Sequence, residues 1–113
     1  MGEGVASSTL ARATALVAED KVRVSDHGYD ELADDDIFVA DVLDGIQTAV
    51  LVEDYPEFGK GPCVLVLQHD ADGRPIHVPW GIPKGCTEPA VVVTACRPDV
   101  SRWTNDFIRR KTR

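Results

Sequence analysis

The sequence predicts an α+β domain in which N-terminal helices come first, a mostly antiparallel four-stranded sheet follows, and a C-terminal helix closes the chain. Three observations carry that expectation. Apolar residues in the first half recur at helical spacing, as Leu10, Ala13, Leu16 and Val17 do. From Thr48 the pattern changes to short runs rich in Val and Leu, bounded by Pro, Gly and Asp. Between Gly61 and Val78 two such runs meet around Asp72-Gly73, the signal of a β-hairpin.

Taken in order, Ser7, Ser8 or Thr9 can cap a first helix running to about Asp20. Lys21 to Val24 reads as a short extended bridge, and Ser25-Asp26 can cap a second helix through about Ala33. Asp36 is placed to cap a third, whose apolar residues are Ile37, Val39, Val42, Leu43 and Ile46, with Gly45 at its end. The adjacent Asp34, Asp35 and Asp36 read as a solvated turn, because metal ligands converge from spaced positions and consecutive side chains point apart. Ala49 to Val52 predicts the first strand, with Pro56 beyond it. The hairpin supplies the next two, and Pro79 and Pro83 weaken the end of the second because proline donates nothing to a ladder. Ala90 to Cys96 reads as a buried strand, and Ser101 as the cap of a last helix holding Trp103, Phe107 and Ile108. Trp80 and Trp103 are expected to pack in the core or at its edge.

A chain of 113 residues fits one domain over 1–113, with 1–6 and 109–113 expected as loose ends. The net charge of -7 argues against non-specific attraction to polyanions. That average conceals an asymmetry: residues 1–57 carry 3 basic and 14 acidic side chains, residues 58–113 carry 9 and 5. A polyanion would therefore meet the second half. No apolar run is long enough to span a bilayer and no signal core opens the chain, so it is expected in the cytoplasm, with no membrane partner. Cys63, Cys86 and Cys96 lack paired spacing and suggest neither a disulfide framework nor a zinc site. Cys63 and Cys96 read as small apolar strand residues and Cys86 as a loop thiol. There is no GxGxxG and no GxxxxGK(S/T), which disfavours a nucleotide-binding fold.

Several marks nevertheless occur together and in order: Ser25-Asp26-His27, the Ile37–Gly45 helix, Glu53-Asp54-Tyr55-Pro56, Gly61-Pro62, Gly73-Arg74-Pro75-Ile76-His77-Val78, and Val92 to Asp99 ahead of Trp103. This set resembles the bacterial and archaeal family known as domain of unknown function 4258. The family in turn looks like a distant member of the metal-independent ribonuclease folds that include the RelE-type toxins, and its members are often encoded beside a small zinc-finger antitoxin. The resemblance thus implies a RelE/barnase-like fold, a toxin-like endoribonuclease without cofactor or metal, and RNA and an antitoxin as partners. It places the family's helix histidine on His27 and its strand histidine on His77. Two positions depart from the family pattern: Asp30 and Glu31 stand where a Glu-Arg pair is usual, and Cys96 where a tyrosine is usual. Loss of that cation would weaken stabilisation of a phosphorane.

The chemistry needs a base for the ribose 2′ proton, an acid for the leaving oxygen and cations around the phosphate. Histidine suits both proton roles because its ordinary pKa of about 6.5 populates both forms near neutrality. His27 and His77 are the acid/base candidates, and Arg74, Lys84 and Arg97 the phosphate-binding candidates. A structural role fits each as well. His27 can help cap its helix, and His77, between Ile76 and Val78, alternates toward the face opposite its neighbours, which faces solvent if the sheet has only one covered face. His69 sits near the turn and reads as solvated. A second function fits the same residues: a non-catalytic interaction module whose acidic helices meet a basic partner, or whose sheet edge accepts a strand.

Overall fold

The computed structural model describes residues 7–111. Element order is α1 (Ser8–Ala18), β1 (Val22–Val24), α2 (Asp26–Asp34), α3 (Val39–Gly45), a 3-10 turn (Ile46–Thr48), β2 (Val50–Tyr55), β3 (Cys63–His69), β4 (Pro75–Gly81) and β5 (Ala90–Val92). The fold is α+β, and its sheet has five strands in the order β1-β5-β4-β3-β2. Among the described residues only the β1–β5 pair is parallel. The predicted four strands are thus corrected to five, because Val22–Val24, read as a bridge, completes the sheet against a strand distant in sequence.

Helix starts follow the sequence closely where a hydroxyl is available. Ser7 accepts from the Leu10 N–H at 3.1 Å and Ser25 from the Gly28 N–H at 2.9 Å, each satisfying a donor that the first helical turn leaves without a partner. The third start is corrected: α3 begins at Val39 behind Phe38, which makes no side-chain cap, while Asp36 lies in the loop at φ 54°. Asx-type bonds secure the hairpin, Asp70 Oδ1 accepting from the Asp72 and Arg74 N–H groups at 2.9 Å.

One face of the sheet and the helices enclose the core. Val64, Val66, Ile76, Val78, Trp80 and Val92 meet Ala13, Leu32, Val42 and Ile46 there. Inside it Gln68, 1% exposed, donates from Nε2 to the Val42 carbonyl and accepts from Trp80 Nε1, both at 2.8 Å. Because both polar ends find partners, the amide costs little there and ties β3, β4 and α3 together.

Two irregularities turn the sheet's second face to account. In β2 the register shifts between Leu51 and Glu53, a bulge that leaves Leu51 on the core side and turns Glu53 and Tyr55 to the other. On β4, Trp80 pairs Val92 and Gly81 pairs Val91, yet His77 pairs Cys96 where unbroken register would place Ala95. Pro79 lies between and has no N–H to give. The neighbouring chain takes one bond, Val93 N–H to the Pro79 carbonyl at 3.0 Å, bulges, and rejoins at Cys96. The strand expected over Ala90–Cys96 therefore ends at Val92.

The predicted C-terminal helix is absent among the described residues. Trp103 and Phe107 have helical spacing, but Asp99 accepts from the Ser101 N–H and hydroxyl, Thr104 donates to Asp106, and Phe107 takes φ 62°. These local bonds compete with a helix. The segment forms turns whose ends meet in a Trp103–Arg110 bridge. Of the loose ends expected at 1–6 and 109–113, residues 1–6 and 112–113 lie outside the described residues, while Arg110 is held by that bridge.

Candidate functional site

The C-terminal turns lie across the sheet's second face, directly on His77. This corrects the expectation of a solvent-facing imidazole: His77 is 3% exposed, because that face is covered too. Its Nε2–H donates to the Phe107 carbonyl at 2.7 Å, which fixes the neutral tautomer with Nδ1 bare. The ring meets Trp103 edge-on, centroids 4.4 Å apart and planes at 79°. Burial pushes the imidazole below its usual pKa; the bond to Phe107 opposes, Arg110 acts with burial, and Glu53 acts against it.

Around this pair stand groups that were not among the expected site residues. Arg110 grips Glu53 through Nε and one terminal nitrogen, at 3.1 and 3.2 Å, and its guanidinium lies 4.7 Å from the centre of the Trp103 ring. Tyr55 donates its hydroxyl to Glu53 at 2.6 Å. Arg110 above all, with help from Tyr55 and against partial burial, holds the Glu53 carboxyl below the ordinary carboxylate range. The clue in sequence was the acidic Glu53 two residues after the apolar Leu51, which share a face unless a bulge separates them.

The other candidates lie elsewhere. His27 is exposed on the first turn of α2, whereas His77 is buried on β4. Arg74 is exposed at the hairpin turn and Lys84 in the loop after β4. Arg97 is engaged, pairing with Asp70 at 2.9 Å and donating to the Pro75 carbonyl at 3.3 Å. The Arg74 N–H first, then Arg97 and the Asp72 N–H, keep the Asp70 carboxyl below its ordinary range. Burial pushes the Cys63 and Cys96 thiols up, away from thiolate chemistry. Cys86 is exposed. Among the described residues no three His, Cys, Asp or Glu side chains gather as a metal would require, and no helix is long and apolar enough to cross a membrane.

The family described as "Domain of unknown function (DUF4258)" matches over residues 24–97, from β1 to the Arg97–Asp70 pair, and the chain belongs to that family. The matched region contains His27 and His77 but stops short of Trp103, Phe107 and Arg110, which cover His77. No curated protein and no solved structure matches the chain.

Proposed function

We propose that this member of the DUF4258 family is a non-catalytic interaction module that receives a basic protein partner on its acidic helices. One observation carries the reading. No lysine or arginine occurs between Arg23 and Lys60, and along that stretch Asp26, Asp30, Asp34, Asp36 and Asp44 are exposed. None of these five is ion-paired among the described residues. Two aromatic side chains stand exposed in the same stretch, Tyr29 at 55% and Phe38 at 72%. Unscreened acids steer a cationic partner and set its orientation; exposed aromatics supply the apolar anchor on which affinity concentrates.

The test immobilises the full chain and the Asp30→Lys/Asp34→Lys variant, and quantifies what each retains from an extract of the source cells. A basic protein held by the first, released by salt and missing from the second supports the module. Equal retention on both surfaces, or none on either, overturns it.

A second reading, a metal-independent, toxin-like endoribonuclease related to RelE-type folds and held by a small zinc-finger antitoxin, is favoured by one constellation. Glu53, Tyr55 and Arg110 gather with His77 about Trp103. It requires the imidazole to be uncovered, with His27 and the exposed Arg74 and Lys84 reaching the RNA from outside. Incubation with a long structured RNA in EDTA, beside His27→Ala and His77→Ala, separates the readings. Ends carrying a 2′,3′-cyclic phosphate, lost in either variant, would favour the nuclease.

A further inference from the structure

Away from His77 the second face of the sheet carries a groove. Four strands contribute one cross-strand row to it: Cys63 of β3, Gly81 of β4, Val91 of β5 and Arg23 of β1 are successive partners. Three inter-strand steps make this row about 14 Å long. Gly81 leaves a gap in its middle, since a Cβ there would meet only ordinary contacts, Val93 Cγ2 at 3.5 Å and the Pro62 carbonyl at 3.6 Å.

The walls come from the loops at the strand ends. Ile82 donates its N–H to the Pro62 carbonyl and Lys84 its N–H to the Lys60 carbonyl, both at 3.0 Å. Gly61 permits the approach: at φ 124°, a Cβ would lie 2.1 Å from the Ile82 carbonyl oxygen. The result is a groove of about 360 Å³ with Phe58, Ile82, Pro83 and Val93 along its sides. That volume is in the small-molecule range, and an apolar body with few polar groups is the usual make-up of such sites.

The charged residues lining the groove are Arg23 and Lys60, with no carboxylate among the lining. Both are exposed, and neither is in an ion pair among the described residues. In a chain of net charge -7, this is a local reversal of sign. Arginine's planar fork matches a carboxylate in two-point fashion.

The geometry points to a binding site for a small amphipathic carboxylate, its apolar body lying along the Cys63–Gly81–Val91 row and its anionic head at Arg23, with Lys60 adding positive charge to the lining. This site is distinct from the acidic helical face and does not depend on the interaction reading given above.

The experiment titrates the full chain with decanoate, followed by the methyl resonances of Val91, Val93 and Ile82, with decanol as the uncharged control. Expected are saturable shifts of those methyls with decanoate and binding at least tenfold weaker for decanol. Gly81→Val, which fills the gap, should weaken decanoate at least tenfold, with its fold checked by thermal unfolding. The surface variant Arg23→Ala/Lys60→Ala should bring decanoate down to the level of decanol without altering the fold. Shifts that do not saturate, or shifts centred elsewhere, overturn the proposal. So does equal binding of decanoate and decanol, or decanoate binding that survives the double alanine variant. If Gly81→Val fails to fold, the alanine variant and the decanol control decide the matter alone.

Discussion

His77 and Trp103 meet edge to face, ring centroids 4.4 Å apart, and this contact is what converts a strand histidine into a buried one. A T-shaped contact between imidazole and indole is a favourable aromatic arrangement for a neutral ring. Burial beneath it disfavours the charged ring. The contact therefore has a sign in pH.

That sign follows from the lowered pKa of the buried imidazole. The unfolded chain, with His77 near its ordinary value of about 6.5, takes up a proton before the folded chain does. Stability from this group is full above that value and is lost as pH falls through it toward the lower folded value. Urea unfolding at neutral and mildly acidic pH should show a fall for the native chain. His77→Gln, with no proton to take up, should show a smaller fall across the same window.

Arg110 fastens the covering segment from the other side. Replacing it by Met removes the grip on Glu53 and the charge over Trp103. The pair is largely exposed, so the global cost should be about 1 kcal/mol or less. The local effect should be larger: Trp103 loses its lid, and its fluorescence should move to longer wavelength before the chain as a whole unfolds. A spectrum like that of the native chain would show that the segment holds without the ion pair.

Gln68 offers the strongest test of the core. Gln68→Leu strips the Trp80 indole N–H and the Val42 carbonyl of the bonds they have now. Two buried groups left without partners should cost about 3 kcal/mol. Denaturant unfolding measures it directly, and a loss under about 1 kcal/mol would mean that water or a shifted neighbour takes over.

Gly61→Ala should be at least as damaging. The added methyl meets the Ile82 carbonyl at 2.1 Å in a backbone conformation closed to other residues. The loop must leave its bond between Lys60 and Lys84. Loss of amide-exchange protection at Lys84, with protection retained at Val66 in the core, is the expected signature.

What was legible in the sequence was local. Ser7 and Ser25 mark helix starts because a hydroxyl beside a turn announces its own bond, and Asp72-Gly73 marks the hairpin because Gly73 can take the φ of 80° that the turn requires. The errors share a different cause. Val22–Val24 becomes a strand only by pairing with residues some seventy positions away. His77 follows strand alternation faithfully, yet the face it points to is covered by turns that the sequence presented as a helix. The spacing of Trp103 and Phe107 suggested that helix; the carboxylates of Asp99 and Asp106 competed for the backbone and prevailed. The groove beside Gly81 was the least legible feature, since it is made by a side chain that is missing.

Docking of a basic partner on the acidic helices is decided by its affinity for the native chain and for Phe38→Ala, measured as salt is raised. The expected result is a dissociation constant that rises steeply with salt and is at least about tenfold weaker without the Phe38 ring. An affinity indifferent to salt and unchanged in Phe38→Ala would contradict the claim and place the contact elsewhere on the molecule.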